Sequence, residues 1–347
     1  MDDLRDILAK KLKKEVLYAS ELKKIERIPT GIAGVDAILG GGLPKGRIIQ
    51  IWGAESVGKS SLCLSIIKEI QMREPESRFL YIDCEGTVNI DDIKAIELDA
   101  KRLLFMNDIY GGEEVIDSAL LGLENGIKVA IIDSVAYLRP KKVLEEIQKD
   151  SAYRDVSGIA NLLERAQQKL TRTVEQSEGC LIFINQERPS QGMYKAPTHP
   201  GGSALKFMLS CSVHITGISR DRDNPNNFIQ HLFVRKNKTF TPMLKADIPV
   251  LNRIIQKGQA LLLVLQQYEL VKAKGGGNYE LEESVAKDLG VSAKLGRGAE
   301  KVGVKLEQDQ KLYNLLYNKM LVSIQEKSTP QGEIRVEEGV TVYEEDV

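Results

Sequence analysis

Gly53-Ala54-Glu55-Ser56-Val57-Gly58-Lys59-Ser60 matches the pattern G-x-x-x-x-G-K-[ST] at every fixed position. The apolar run Arg47–Trp52 leads into it and a helical pattern, Ser60–Met72, leaves it, which is the strand–loop–helix setting this phosphate-binding motif requires. The residue types follow from the chemistry. Glycines let consecutive backbone N–H groups turn inward around phosphate oxygens, and the N-terminus of the helix adds partial positive charge. Lys59 is expected to reach the β- and γ-phosphates of a nucleotide and the Ser60 hydroxyl to ligate Mg2+. Ala54, Glu55, Ser56, Val57 and Ser61 complete the expected wrap.

Outward from the loop, apolar runs recur at Arg78–Ile82, Val129–Ile132 and Gly179–Ile184. Helical patterns at Glu113–Glu124 and Asp155–Gln176 separate them, a βαβα order that predicts an α/β fold with a doubly wound, mostly parallel sheet. Such sheets bind ligands at the carboxyl ends of their strands. Asp133 stands at one such end, where a carboxylate can join a Mg2+ shell, although an isolated Asp after a strand is more often a cap. Glu85 follows another and is expected to deprotonate the water that attacks a γ-phosphate; the plainer alternative is that Asp83 or Glu85 caps the next turn. Gln186 ends a third, placing an uncharged amide where it can sense that phosphate. The segment Glu187–Pro200 after it, rich in Gly, Pro and Lys, reads as a nucleotide-gated binding loop.

Four parts are expected along the chain: 1–29, an amphipathic helix and linker; 30–252, the α/β core; 253–330, a small C-terminal α+β domain; and 331–347, an acidic tail. Leu4, Ile7, Leu8, Leu12 and Val16 share one face of the first helix, which needs something to pack on. The 347 residues carry a formal net charge of -1, unusual for a nucleic-acid binder. The distribution changes that reading. Residues 331–347 hold six acids against Arg335, so removing their net -5 leaves +4 on the remainder. Four scattered cysteines without a Cys-x-x-Cys pair point away from disulfides and structural zinc, and a reducing cytoplasm is the simplest location. There is no apolar run long enough to span a membrane and no leader-like apolar segment.

Together these residues resemble the RecA recombinase family. The likeness runs from about Arg27 to Lys238 and weakly beyond. It includes Pro29-Thr30-Gly31, Gly40–Gly46, Gly53–Ser60, Tyr81–Glu85, Ile131–Leu138 and Phe183–Gln186. Its most specific parts are Asn185-Gln186 followed by a loop and Gly201-Gly202-Ser203-Ala204-Leu205-Lys206-Phe207, and Lys236-Asn237-Lys238.

The resemblance implies an ATP- and Mg2+-dependent recombinase that assembles a helical filament, or a ring, on single-stranded DNA and pairs it with homologous duplex. It implies that Glu85 is the catalytic glutamate and that Gln186 couples the γ-phosphate to the second DNA loop, 187–200. Arg188, Met193, Tyr194 and Lys195 would lie near DNA, with Gly201 and Gly202 offering backbone N–H groups to a phosphate. The first DNA loop would occupy roughly 141–157, leading into a helix bearing Arg165, Lys169 and Arg172. Lys236 and Lys238 would reach a neighbouring copy's ATP, with Lys206 and Phe207 beside them at the subunit interface.

The chain departs from the family where an adenine-stacking tyrosine is expected, reading Val88-Asn89-Ile90-Asp91-Asp92-Ile93, and where Lys245–Val250 replaces an aromatic strand and glycine turn. Two rival readings share the core: a hexameric helicase, which would ordinarily bring an arginine finger and an N-terminal collar, and an ATP-switched filament that regulates recombination without exchanging strands.

Overall fold

The computed structural model describes residues 4–21, 24–149, 158–188 and 197–327. Met193, Tyr194, Lys195, the end of the expected first DNA loop and the acidic tail lie outside the described residues.

The N-terminal helix α1 (Leu4–Leu12) leaves Leu4, Ile7, Leu8 and Leu12 exposed. It stops before Lys13, whose φ of 51° is left-handed, so Val16 falls beyond the helix and off the expected stripe. Strand β1 (Arg27–Ile28), helix α2 (Ala33–Leu39) and strand β2 (Leu43–Pro44) then form a small antiparallel entry to the core.

The core alternates β3 (Arg47–Gly53), α3 (Lys59–Arg73), β4 (Phe79–Asp83), α4 (Ile90–Ala95), β5 (Leu103–Met106), α5 (Gly112–Glu124) and β6 (Val129–Asp133). It continues through α6 (Lys141–Lys149), α7 (Gly158–Gln176), β7 (Cys180–Gln186), α8 (Gly202–Met208), β8 (Cys211–Arg220), β9 (Phe228–Asn237), β10 (Lys245–Leu251) and β11 (Ile254–Ile255). One sheet joins these strands in the order β11-β10-β9-β8-β3-β7-β6-β4-β5. From β8 to β5 every pairing is parallel, and β9, β10 and β11 extend the sheet antiparallel.

Alternate residues of the central strands feed two cores. Ile49 and Ile51 of β3 join Leu62, Ile66 and Ile70 of α3 on one face. Ile48 joins Leu120 of α5 and Leu163, Leu170 and Val174 of α7 on the other. Helices on both faces make the sheet doubly wound, and burial on both sides is why these strands read as continuous apolar runs. Strand β9 is buried only at every second position over most of its length, so its sequence carries a weaker signal. The segment expected as a first DNA loop is helical over Lys141–Lys149, an amphipathic pattern whose apolar positions Val143, Leu144 and Ile147 fall at helical spacing.

Beyond the sheet lie α9 (Lys257–Gln267), β12 (Val271–Lys274), β13 (Asn278–Leu281), α10 (Glu283–Leu289), β14 (Lys294–Arg297), α11 (Ala299–Gln308) and α12 (Gln310–Lys327). The three strands form an antiparallel sheet, and their apolar cluster takes in Ala33 and Ala37 of α2. Asp36 of α2 is buried, accepts hydrogen bonds from Thr30 N (2.8 Å), Gly31 N (3.1 Å) and the Tyr317 hydroxyl, and so fastens α12 to the core. Burial pushes its carboxyl above the usual range. Among the described residues, no helix is long and apolar enough to cross a membrane.

Candidate functional site

The loop after β3 turns through left-handed backbone at Ser56 and Gly58. Gly58 is left-handed (φ 83°), and a Cβ there would lie 2.6 Å from Gln230 Nε2. That amide, buried on β9, donates to the carbonyls of Val57 (2.7 Å) and Gly58 (3.2 Å), bracing the loop from below. Sequence reasoning missed Gln230 because a polar residue on a half-buried strand looks like a solvent-facing position. Lys59 folds over the loop and donates to the carbonyls of Ala54 (2.6 Å) and Gly53 (3.2 Å). Burial lowers its pKa, against the opposing pull of Asp133 and Glu85. An ammonium resting on carbonyls is a ready donor for a phosphate oxygen.

The neighbouring strand ends supply the acids. Asp133 is buried at the end of β6, and its Oδ2 accepts from Ser60 Oγ and from the Tyr81 hydroxyl, each at 2.6 Å. Burial pushes the Asp133 carboxyl up while these two hydrogen bonds pull it down. Ser134 beside it keeps a buried hydroxyl without a partner among the described residues. A carboxylate, a serine hydroxyl and an orphan hydroxyl at one edge fit Mg2+, a hard cation that takes a few protein oxygens and leaves its other positions to phosphate and water. Among the described residues, no cluster of three or more His, Cys, Asp or Glu could hold a metal instead.

Asp83 does the capping that the sequence left between two acids. Its carboxylate accepts from the N–H groups of Glu85 (3.1 Å), Gly86 (2.8 Å) and Val88 (2.9 Å). That turn leaves the Glu85 side chain free to face the loop. Glu85 Oε1 accepts from Gln186 Nε2 at 2.8 Å, which brings the ends of β4 and β7 together. Its pKa is raised, first by burial and then by the charge of Asp133, with Tyr137 and Lys59 acting in the other direction. Tyr137, half exposed after β6, is a second residue missed from sequence.

A cavity of about 330 Å³ opens beside the loop. It is lined by Ser56, Gly58, Ser61, Phe228 and the ion pair of Arg253 with Asp92 (2.9 Å), among others. Asn89 caps α4 in this segment, with Asp92 as its capping-box partner. The stretch that lacks an aromatic side chain thus presents a charged rim.

The far side of Gln186 leads to the expected DNA loop. Arg188 and Thr198 pair as an antiparallel bridge (2.7 and 3.2 Å), closing its base. Beneath it, His214 stacks on Trp52 at 3.8 Å and donates from Nε2 to Glu187 Oε2 at 2.9 Å. Arg235 lies over the same indole at 5.1 Å. Gly201 and Gly202, both with positive φ (111° and 64°), start α8. Lys206 and Phe207 are exposed at its other end, where their carbonyls accept from the ammonium groups of Lys236 and of Lys238 (2.8 Å), respectively. Arg165, Lys169 and Arg172 are exposed on α7, with Lys169 paired to Asp117 at 2.7 Å.

Lys59, Ser60, Glu85, Asp133 and Gln186 converge within one chain, but Lys236 does not join them. Strand register sets Lys236 beside Ser212 and, through it, Gln50. It therefore lies two strands over and three residues short of Gly53, about 10 Å back along β3.

Comparisons with known proteins point to a single family. The family model described as the RecA N-terminal domain matches residues 7–255. Protein RecA of Helicobacter acinonychis is 32% identical over 312 residues, covering 88% of this chain and 85% of the relative. Protein RecA of Solidesulfovibrio magneticus is 37% identical over 235 residues (66% and 64%), and that of Campylobacter lari 36% over 237 (67% of each). On the family match, the coverage and the phosphate loop at its expected strand end, this chain belongs to the RecA family of phosphate-loop ATPases.

Proposed function

We propose that the protein is an ATP-dependent homologous recombinase that assembles on single-stranded DNA and exchanges strands with homologous duplex. The observation that carries this reading is the hydrogen bond between Gln186 and Glu85, because Gln186 is also the last residue before the DNA loop. One side chain thereby touches the acid that would start hydrolysis and the segment that would hold DNA.

MgATP, when bound, supplies the transferable phosphoryl group and the cation that offsets its charge. The chain's own residues do the rest. Backbone N–H groups of Gly53–Ser60 and the Lys59 ammonium would bind the phosphates, and Ser60 with Asp133 would hold the metal. The cavity beside Ser61 takes the nucleoside, a pocket size within the range of about 300–1,000 Å³ used for small ligands. Glu85 takes the proton of the attacking water. The Gln186 amide, now bonded to Glu85, could donate instead to a terminal phosphate oxygen and so report its presence to the segment that follows. Lys236 and Lys238, set back from their own phosphate loop, act on the neighbour's nucleotide. Arg165, Lys169, Arg172, Arg188, Lys195 and the N–H groups of Gly201 and Gly202 contact DNA through its backbone, and Met193 and Tyr194 lie near it. Such contacts are sequence-independent, as pairing of any homologous strand demands.

The test is strand exchange between homologous oligonucleotides, run beside ATP hydrolysis with and without single-stranded DNA. Exchange together with DNA-stimulated hydrolysis is expected. DNA-stimulated hydrolysis on a filament without exchange would favour a regulatory filament, and a closed six-fold ring seen by electron microscopy would favour a helicase.

A further inference from the structure

Strand β4 carries a phenol at a position buried on both faces of the sheet. Tyr81 is 0% exposed, and its ring stacks on Phe105 at 5.7 Å. A hydroxyl withdrawn from water needs an acceptor, and this one donates to Asp133 Oδ2 at 2.6 Å. Ser60 Oγ reaches the same oxygen at 2.6 Å. Two donors on Oδ2 fix the rotation of the carboxylate, while Oδ1 takes no hydrogen bond among the described residues.

The two donors differ in what they can keep doing. Ser60 sits in the first turn of α3, at the end of the phosphate loop, and would itself become a ligand when a cation arrives. Tyr81 is held by the sheet and by Phe105, and its buried hydroxyl is not an expected metal ligand. We propose that Tyr81 is a positioning residue for the divalent cation: it holds Asp133 in the metal-binding orientation before the cation arrives. This rests on the MgATP reading of the site. Hydrogen-bonded partners behind a metal ligand commonly change metal affinity by about 10–100-fold when removed. With a second donor on the same oxygen, the low end of that range applies.

The experiment compares wild type, Tyr81→Phe and Phe105→Leu by titrating a fluorescent ATP analogue in EDTA and in saturating Mg2+. The ratio of the two dissociation constants reports the metal's contribution without any turnover. For Tyr81→Phe, affinity in EDTA should match wild type and the Mg2+ enhancement should fall about tenfold. Phe105→Leu loosens the same ring but keeps the hydroxyl, so its enhancement should persist. An undiminished enhancement in Tyr81→Phe overturns the proposal, as does an equal loss in Phe105→Leu, which would assign the effect to packing. A wild type that binds the analogue no better with Mg2+ than without would remove the MgATP reading itself.

Discussion

Gln186 at the end of β7 donates its side-chain amide to the carboxylate of Glu85 at 2.8 Å. The expected base of the reaction is therefore held by the residue that precedes the proposed DNA loop. Replacing Glu85 by Gln keeps the shape and removes the base, so turnover should drop by about 10²–10⁴-fold, while nucleotide affinity stays near wild type. Gln186→Ala should leave a slow hydrolysis that DNA no longer accelerates. Steady-state turnover with and without single-stranded DNA separates the two, and a Gln186→Ala enzyme still fully stimulated by DNA would break the link.

The environment of Glu85 sets a pH dependence. Burial and the nearby Asp133 raise its pKa, so the acid persists protonated to higher pH than an ordinary glutamate. A base must be ionised, hence activity is lost as pH falls through that raised value. The acid limb of the kcat/KM profile should lie above the usual glutamate value of about 4.3. Tyr137 holds the pKa down, so Tyr137→Phe should move the limb to higher pH. A limb at the ordinary glutamate position in both proteins would contradict the assignment.

Lys236 and Lys238 offer a test by mixing. Each alanine variant should lose DNA-stimulated hydrolysis, as should Glu85→Gln. In an equal mixture of the lysine double variant and Glu85→Gln, head-to-tail contacts that join two intact halves should form in about one quarter of cases. Recovery toward that fraction supports a site shared between copies. No recovery at all would mean that each chain carries its site alone.

Gln230 should matter despite its distance from any phosphate. Its buried amide supports two carbonyls of the phosphate loop. Gln230→Ala removes about 1–1.5 kcal/mol of net hydrogen bonding, enough for a roughly tenfold rise in the KM for ATP with kcat little changed. Gly58→Ala should be more severe, because it forces a side chain into left-handed backbone against that same amide. An unchanged KM in Gln230→Ala would show that the loop keeps its shape unaided.

Much of this site is legible in the sequence because its parts are local. A phosphate loop is eight consecutive residues, and Asp133, Glu85 and Gln186 each follow an apolar run that marks a strand end. What stayed hidden depends on pairing between distant segments. Gln230 reaches the loop only because β9 lies two strands from β3. Tyr81 looked like one more apolar residue of a buried run, and its partner lies 52 positions away. The choice between Asp83 and Glu85 as the capping acid was likewise open, since both precede the same turn and only the direction of each side chain decides. The resemblance implies a loop over Lys141–Lys149, whereas the apolar spacing of that stretch is helical and the structure follows it.

Helix α8 deserves a mechanical reading. It is seven residues long, from Gly202 to Met208, which at 1.5 Å per residue makes a rod of about 10 Å. The glycine pair at one end follows the proposed DNA loop, and the carbonyls at the other hold the ammonium groups of Lys236 and Lys238. Two turns of helix are too short to bend appreciably. A displacement imposed at the glycines would therefore reach the lysines through one short, stiff element, as along a pushrod.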